Sequence, residues 1–298
     1  MTNSARQTVA ILMPGDMGHG VGQALIASGH DAITALDGRS DHSRMLAGRA
    51  GLRDVGSLDA AVAEADLILS ILPPDRALPL AQEVAGIARQ HGHAPVFADC
   101  NAISPMTLGE VAACFDGTGV EVIDCGIIGL NPIKAPPTRF YVSGPDCTAF
   151  KAIASESMRV EVIGPELGQA SALKMVYAAL TKGTWTLQTA VLTAARQLDV
   201  LAPLLEEFAY SQKGPLADMR GRVPFLPADS ERWVPEMEEI AATFAKAGVS
   251  PGFHQGAAEM FRVMARSSFA SETRETLDRR RTLEAALEEY VRHLEPKG

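Results

Sequence analysis

The chain has 298 residues, of which 47% are hydrophobic and 21% charged, a composition typical of a globular protein rather than a disordered one. A formal net charge of −9 works against binding to nucleic acids or anionic membranes, and no apolar stretch is long enough to span a membrane. The first residues show no secretory signal and the four cysteines no short paired spacing, so we expect a cytoplasmic protein without a metal site.

The chain opens with the pattern of a strand, a glycine-rich turn and a helix. An apolar run at 9–13 predicts a buried strand, and a helical period starts at Val21. Gly15 and Gly18 hold two places of the G-x-G-x-x-G fingerprint, and Met13 stands in the first. Glycines let the backbone approach a pyrophosphate, which predicts a dinucleotide site, with a ligand-free turn as the alternative. The predicted cofactor residues here are Pro14, Gly15, Asp16, Met17 and Gly18.

The end of the second predicted strand, at 32–36, is where a dinucleotide fold meets the adenosine ribose. Asp37 would accept hydrogen bonds from the ribose hydroxyls and favours NAD, whereas an arginine beside a serine would bind a 2′-phosphate and favours NADP. The basic cluster favours NADP and leaves NAD possible, and the alternative is a solvated turn with an N-cap at Ser40. The predicted residues are Gly38, Arg39, Ser40 and Arg44.

Strands and helices alternate through the first half of the chain. A helix is predicted at 58–65, and a buried strand at 67–72 ends at two prolines, which cannot continue a hydrogen-bonded ladder. Further strands are predicted at 95–98, 120–124, 139–143 and 160–163, with helices at 76–90 and 146–155. This alternation indicates an α/β Rossmann-like domain with a mostly parallel sheet over residues 1–165.

The second half of the chain carries helical patterns instead of strands. A long helix is predicted at 168–198, and the final helix at 272–294 includes the DRRR run as a solvated face. Two helices between them are predicted at 230–247 and 252–268. The sequence therefore predicts an all-α C-terminal domain over residues 166–298, joined to the first domain by the long helix.

Lys174 stands out on the long predicted helix, because it is the only charged residue between 167 and 181. At 100° per residue, Ser171, Ala178 and Thr181 lie on the same side of the helix. Apolar surroundings disfavour a charged ammonium, which suits a group that transfers protons. The alternative is an ordinary surface lysine, or one whose ammonium reaches solvent from an apolar face.

Five segments together resemble the β-hydroxyacid dehydrogenase family, which includes 3-hydroxyisobutyrate dehydrogenases and shares a fold with 6-phosphogluconate dehydrogenase. They are MPGDMGHGV at 13–21, GRS at 38–40, DCNAISP at 99–105, DCGIIG at 124–129 and GQASALKMVYAAL at 168–180. The resemblance implies an NAD(P)-dependent enzyme that transfers hydride reversibly at CH–OH groups, with Lys174 as general acid and base. It also implies that Leu72, Pro73, Pro74 and Asn101 lie beside the cofactor.

Several positions depart from the pattern of that family. Ala178 replaces an asparagine, and Ile128 replaces a substrate-binding serine, although Gly129 is kept. Glu236 and Met237 stand where a lysine and an aspartate usually hold a substrate carboxylate. The segment 232–262 resembles a subgroup whose helical domain has no assigned function. An imine reductase of the same fold and a non-catalytic NADP-binding module are therefore the alternatives to a dehydrogenase of hydroxy acids, polyols or related alcohols.

The resemblance also predicts which side chains surround a small-molecule substrate, and by analogy we expect a homodimer. For Trp233 a place in the core is the alternative, and for His254 a position near the surface. Ser104 is expected to cap a helix. The predicted substrate residues are Asn101, Ile128, Gly129, Tyr177, Thr181, Trp233, Glu236 and His254.

Overall fold

The computed structural model describes residues 6–133 and 137–294, which form two compact units that divide between Met175 and Val176. The units divide at residue 175 inside a long helix, rather than at the predicted residue 165. The physical reason is that the first turns of this helix pack against the sheet of the first unit, where the carbonyl of Ala170 lies close to Gly126.

The first unit is built on one eight-stranded sheet in the order β3-β2-β1-β4-β5-β6-β7-β8. The strands are β1 Thr8–Leu12, β2 Asp31–Thr34, β3 Arg53–Asp54, β4 Leu67–Ser70, β5 Val96–Asp99, β6 Val122–Ile128, β7 Thr138–Ser143 and β8 Met158–Gly164. Every neighbouring pair is parallel except β6 and β7, which are antiparallel. The predicted Rossmann-like domain with a mostly parallel sheet is confirmed.

Both faces of this sheet are covered by apolar side chains. Val9 and Ile11 of β1 belong to one hydrophobic cluster, and Ala10 and Leu12 belong to another. Successive side chains of a strand point to opposite faces, so a strand buried on both sides reads as one continuous apolar run. This is why the run at 9–13 could be recognised as a strand from sequence alone.

Helices flank the sheet and make up the second unit. They are α1 Asp16–Ala27, α2 Asp41–Ala50, α3 Leu58–Glu64, α4 Ala77–His91, α5 Pro105–Ala113, α6 Thr148–Lys151, α7 Gln169–Gln197, α8 Leu201–Ser211, α9 Lys213–Arg222, α10 Pro227–Lys246, α11 Gly252–Ala265 and α12 Leu283–Arg292. Among the described residues, no helix is both long enough and apolar enough to cross a membrane.

The C-terminal region differs from the predicted helix at 272–294. The last helix begins only at Leu283, because the hydroxyl of Thr282 accepts a hydrogen bond from the N–H of Ala285 and caps it. Arg281 is also not part of a solvated face. Its guanidinium is buried, pairs with Glu272 and donates to the carbonyl of Pro224. The prediction of one continuous helix was therefore wrong, whereas the predicted solvated run holds for Asp278, Arg279 and Arg280, which are exposed, and fails only at Arg281.

Three further differences concern helices. The predicted helix at 146–155 is a single turn, Thr148–Lys151. Helices α8 and α9 were missed, because Pro203 and Pro215 interrupt the pattern, although each stands in the first turn of its helix, where proline is tolerated. The predicted cap at Ser104 is confirmed, since its hydroxyl accepts a hydrogen bond from the N–H of Thr107.

Candidate functional site

The order of the strands defines a crevice at one edge of the sheet. From β1 the chain leads to β2 on one side, and β4 lies on the other side of β1. In open α/β sheets ligands bind outside the carboxyl ends of the strands at such a switch point. The glycine-rich turn after β1 lies at this position, as the sequence predicted.

The glycine-rich turn has the geometry of a pyrophosphate site. Met13, in the place of the first glycine, adopts φ = 62°, a left-handed conformation that few non-glycine residues adopt. A Cβ on Gly15 would meet nothing within 4 Å, so open space remains where the backbone can approach a ligand. A Cβ on Gly18 would lie 3.2 Å from Ile11 Cγ2, so this glycine allows α1 to pack closely on β1. The three positions thus have the backbone conformation, the open space and the close packing that the three places of the fingerprint require.

Asn131, which the sequence analysis did not single out, fixes the start of α1. Its buried side-chain amide donates to the carbonyl of Asp16, and its oxygen accepts from the N–H of Ile133 at 2.9 Å. A Cβ on Gly20 would collide with this side chain. Asn131 and Pro132 form a dipeptide typical of turns, which was the available sequence signal.

The ribose end of the crevice holds two possible partners for the cofactor. Ser40 caps α2 through its hydroxyl, and Arg44 donates to the carbonyl of Leu36 at 2.6 Å, so both support the end of β2. Arg39 is half-buried and Asp37 exposed, and neither side chain forms a hydrogen bond with another described residue. The end of β2 therefore carries both an arginine, which suits the 2′-phosphate of NADP, and an aspartate, which suits the ribose hydroxyls of NAD.

A buried polar network joins the loops that follow β4 and β5. The amide of Asn101 donates to Asp99 Oδ2 and to Ser70 Oγ, each at 2.8 Å, and its oxygen accepts from the N–H of Leu72 at 2.6 Å. The side chain of Asn101 is therefore already engaged, and it positions the loop of Pro73. To contact the substrate or the nicotinamide as predicted, the Asn101 amide would have to form a further hydrogen bond beside these three.

Asp99 makes the stability of the fold depend on pH. Burial raises its pKa to about 7, despite two hydrogen bonds from Asn101 that favour the carboxylate. Between about pH 4 and pH 7, the folded chain keeps a proton that the unfolded chain has released. We therefore expect this group to lower the free energy of unfolding by about 1.4 kcal/mol per pH unit as the pH rises through that range.

The measurement is urea unfolding of the protein and of Asp99→Asn at several pH values. The unfolding free energy of the unaltered protein minus that of Asp99→Asn should decline from pH 5 to pH 7 and level off above pH 7. A difference that stays constant or grows over this range would show that Asp99 is ionised in the folded state.

Asp124, like Asn131, was not among the predicted site residues, and it holds the start of the helix that carries Lys174. The buried carboxylate accepts from Ser171 Oγ at 2.6 Å and from the N–H groups of Ser171 and Gly168, each at 2.9 Å. The hydroxyl of Ser143 donates to the same carboxylate at 3.1 Å. Asp124, on β6, thus satisfies N–H groups at the start of α7 and binds the helix to the sheet.

Lys174 lies one turn further along α7, against the middle of β6. A Cβ on Gly126 would lie 3.0 Å from Lys174 Cβ and 2.7 Å from the carbonyl oxygen of Ala170. The absence of a side chain at Gly126 therefore allows α7 to approach the strand, and Lys174 is half-buried there. The DCGIIG segment thus supplies both the carboxylate that caps the helix and the glycine that admits it.

The end of β6 carries two of the predicted substrate residues. Ile128 is the last residue of the strand and pairs with Arg139 of β7. Gly129 follows with φ = 128°, a conformation that favours glycine, and so begins the turn between the strands. Ile128 is half-buried and offers only apolar contact in the place of a hydroxyl.

In the helical unit, Glu236 of α10 pairs with a lysine that sequence analysis left aside. Lys182 Nζ lies 2.6 Å from Glu236 Oε1, and both side chains are nearly fully buried. The ammonium also lies 5.5 Å from the ring centre of Trp233. Trp233 packs between Trp185 and Phe261 in the core, as its alternative interpretation held.

The remaining predicted substrate residues also belong to the helical unit. Tyr177 is half exposed, and the hydroxyl of Thr181 donates to the carbonyl of Ala178 at 3.2 Å. His254 is buried rather than near the surface, with its ring 4.3 Å from that of Phe244. Burial lowers the pKa of His254, which favours its neutral form.

One concavity of the first unit lies away from the crevice, at the amino-terminal end of β6. It has a volume of about 480 Å³, and its lining includes Asp116, Glu121 and Asp146. Three carboxylates repel the phosphates of a dinucleotide. The crevice at the carboxyl ends of the strands is therefore a better candidate for the cofactor site than this concavity. Among the described residues, no group of three or more histidine, cysteine or acidic side chains could hold a metal ion.

Two known families match this chain. Residues 8–154 match the NAD binding domain of 6-phosphogluconate dehydrogenase, and residues 195–264 match a domain of unknown function, DUF1932. A relative from Methanothermus fervidus, an uncharacterized 28.5 kDa protein in the 7S RNA 5′ region, is 26% identical over 208 residues, which are 70% of this chain and 79% of that protein. The first match and the glycine-rich turn agree on a nicotinamide cofactor.

Solved structures of oxidoreductases share the fold over nearly their whole length. A 3-hydroxyisobutyrate dehydrogenase from Mycobacterium tuberculosis is 20% identical, with 95% of this chain and 98% of that chain covered at a TM-score of 0.68. An imine reductase from Myxococcus stipitatus in complex with NAD⁺ is 16% identical, with 96% and 99% covered at a TM-score of 0.53. Residues 8–154 thus belong to the NAD binding domain family of 6-phosphogluconate dehydrogenase and residues 195–264 to the DUF1932 family, and the chain has the fold of the β-hydroxyacid dehydrogenases.

Proposed function

We propose that this protein is an NADP-dependent dehydrogenase or reductase that acts on a hydroxyl or carbonyl substrate, with Lys174 as general acid and base. The observation that carries the proposal is the placement of Lys174 on a turn of α7 held by Asp124. The helix is capped from β6 and packed on Gly126, so the position of the lysine backbone is fixed in the unit that carries the glycine-rich turn. A positioned proton donor is what carbonyl reduction requires.

Different residues at the strand ends would bind different parts of the cofactor. Gly15 and Gly18 would admit the pyrophosphate at the start of α1, and Arg39 would bind the 2′-phosphate. When bound, the nicotinamide supplies or accepts the hydride. In the reductive direction the Lys174 ammonium would give a proton to the substrate oxygen, and in the oxidative direction the neutral amine would take it back.

The substrate class follows from two departures. Ile128 offers no hydroxyl at the end of β6. Glu236, which stands at one of the two places that usually hold a substrate carboxylate, is itself a carboxylate and is paired with Lys182. Neither place therefore offers the hydroxyl or the cation that would bind a substrate carboxylate. Among the candidate substrates, these departures favour a polyol or a related neutral alcohol over a simple 3-hydroxy acid.

The preference for NADP predicts a specific effect of Arg39→Ala. We expect this variant to weaken NADPH binding about 10- to 150-fold, since a charge-assisted hydrogen bond contributes roughly 1.5–3 kcal/mol, and to leave NADH binding unchanged. Titrations of cofactor fluorescence measure both constants. Arg49→Ala, at the other end of α2, is the matched control. Tighter binding of NADH than of NADPH by the unaltered protein, or an equal loss for both cofactors in Arg39→Ala, would contradict the preference.

The reaction class is tested with the preferred cofactor and a panel of polyols, aromatic alcohols, aldehydes, hydroxy acids and cyclic imines. The expected result is turnover of an alcohol in the oxidative direction and of the matching carbonyl in reverse. Turnover of cyclic imines without any carbonyl substrate would instead identify an imine reductase. Binding of the cofactor without turnover on any of these substrates would support a non-catalytic module.

A further inference from the structure

The face of the sheet on which Lys174 packs continues from β6 onto β7. In this antiparallel pair, Tyr141 of β7 lies opposite Gly126 of β6. Arg139 lies opposite Ile128, at the end of the pair where β6 ends. Directly opposite residues point to the same face of a sheet, with their Cβ atoms about 4.5–5.5 Å apart. Since Lys174 packs on Gly126, both β7 side chains rise from the face that carries this lysine.

Strand β8 extends the same face with two charged side chains. It is parallel to β7 and places Arg159 beside Arg139 and Glu161 beside Tyr141. Because β7 is antiparallel to β6, β7 and β8 both begin at the edge of the sheet where β6 ends, which is the edge of the cofactor crevice. The other face of β7 is buried in the core through Phe140. We call Arg139, Tyr141, Arg159 and Glu161 the β7–β8 patch.

The β7–β8 patch offers hydrogen-bonding groups that its own contacts leave partly unused. Arg139 is exposed and forms no ion pair with another described residue, and its Nη1 donates to Tyr141 Oη at 3.3 Å. Tyr141 is half-buried, so its ring presents an apolar surface beside its hydroxyl. Arg159 pairs with Glu161, but both side chains stay partly exposed. A guanidinium without a counterion, a phenol and a carboxylate thus lie together on two adjacent strands.

We propose that the β7–β8 patch binds the hydroxyl groups of a polyol substrate beyond the carbon that exchanges hydride, with Arg139 and Tyr141 as binding residues. The inference rests on the proposed function, because it takes Lys174 as the group beside the reacting carbon. Arg139 lies opposite Ile128, so the patch begins at the strand end where the family usually binds its substrate through a serine.

The mixture of groups in the patch favours hydroxyls over an anion. A guanidinium only donates hydrogen bonds, a carboxylate only accepts them, and a phenol does both. Hydroxyl groups also do both, so neighbouring hydroxyls of one chain can bind Arg139, Tyr141 and Glu161 together. A carboxylate or phosphate could accept from Arg139, but Glu161 would repel it. Beside the patch, Ile128 offers apolar contact to the carbon chain.

Calorimetric titration of glycerol, erythritol and xylitol into the protein with NADPH bound tests the site. The reduced cofactor cannot accept a hydride from an alcohol, so binding is measured without turnover. Arg139→Met keeps the apolar stem and should weaken xylitol binding at least about tenfold, and Tyr141→Phe should weaken it about 2- to 10-fold. The loss in both variants should be smaller for pentanol, which has the same carbon chain and a single hydroxyl group.

The matched control is Arg49→Met, an exposed arginine of the same unit on α2, which should bind xylitol as the unaltered protein does. Far-UV circular dichroism of all variants should be unchanged, because neither Arg139 nor Tyr141 is in the core. Xylonate, which carries a carboxylate at one end of the same chain, serves as the anionic probe and should bind more weakly than xylitol.

Three outcomes would overturn the proposal. They are no binding of any of the three polyols by the unaltered protein, xylitol binding that is unchanged in Arg139→Met, and tighter binding of xylonate than of xylitol. The proposed function fails separately, if no alcohol or carbonyl is turned over, and a loss of xylitol binding in Arg139→Met would then still assign the patch as a polyol site.

Discussion

Lys174→Met should lower kcat by roughly 10²–10⁴-fold on whichever alcohol or carbonyl the protein turns over, the usual contribution of a general acid and base. Methionine has a similar length and an apolar stem, so the packing of α7 on β6 should persist. The expected loss therefore reflects the missing proton rather than a displaced helix. NADPH should bind the variant as tightly as the unaltered protein, because the glycine-rich turn and Arg39 are untouched.

Steady-state kinetics and cofactor fluorescence titrations on the same preparations separate the two effects. Lys151→Met, an exposed lysine in the same unit, is the control and should leave kcat unchanged. The pH profile gives a second readout, since the limb that reports the general acid or base should disappear in Lys174→Met. A kcat within about threefold of the unaltered protein would assign the proton transfer to another group.

The sheet and the cofactor turn could be predicted from sequence because their signals are local. A strand buried on both faces is a short apolar run, and the glycines of the turn stand in a fixed spacing. Even Met13, the apparent departure, adopts the left-handed conformation of the glycine that it replaces. The turn requires particular backbone conformations at fixed positions, so its residues can be identified from their spacing along the chain.

The parts that sequence missed depend on contacts between distant residues. Asp124 accepts a hydrogen bond from the N–H of Gly168, 44 residues later and just before α7, and Lys182 pairs with Glu236 across 54 residues. No periodicity along the chain reports such pairs, because each partner taken alone is an ordinary charged residue. The cap at Thr282 is different, because its contact with Ala285 spans only three residues, and a single hydroxyl within a helical pattern did not reveal where the last helix begins.

The largest effect on stability should come from Lys182→Met. Removal of the ammonium leaves the carboxylate of Glu236 in the core of the helical unit without the cation that balances it. Breaking a buried ion pair in this way costs about 3–5 kcal/mol of unfolding free energy. Arg196→Met, which removes an exposed pair from the same helix, should cost only about 0–1 kcal/mol.

Urea unfolding of Lys182→Met/Glu236→Leu distinguishes the loss of the Lys182–Glu236 ion pair from a simple loss of packing. If the missing Lys182 cation causes the loss, the double variant should recover most of the stability, because an apolar pair of similar volume often matches a buried ion pair. If the double variant is as unstable as Lys182→Met, the lysine stem beside Trp233 contributes the stability through packing instead. A loss below about 1 kcal/mol in Lys182→Met would mean that Glu236 stays solvated or protonated without its partner.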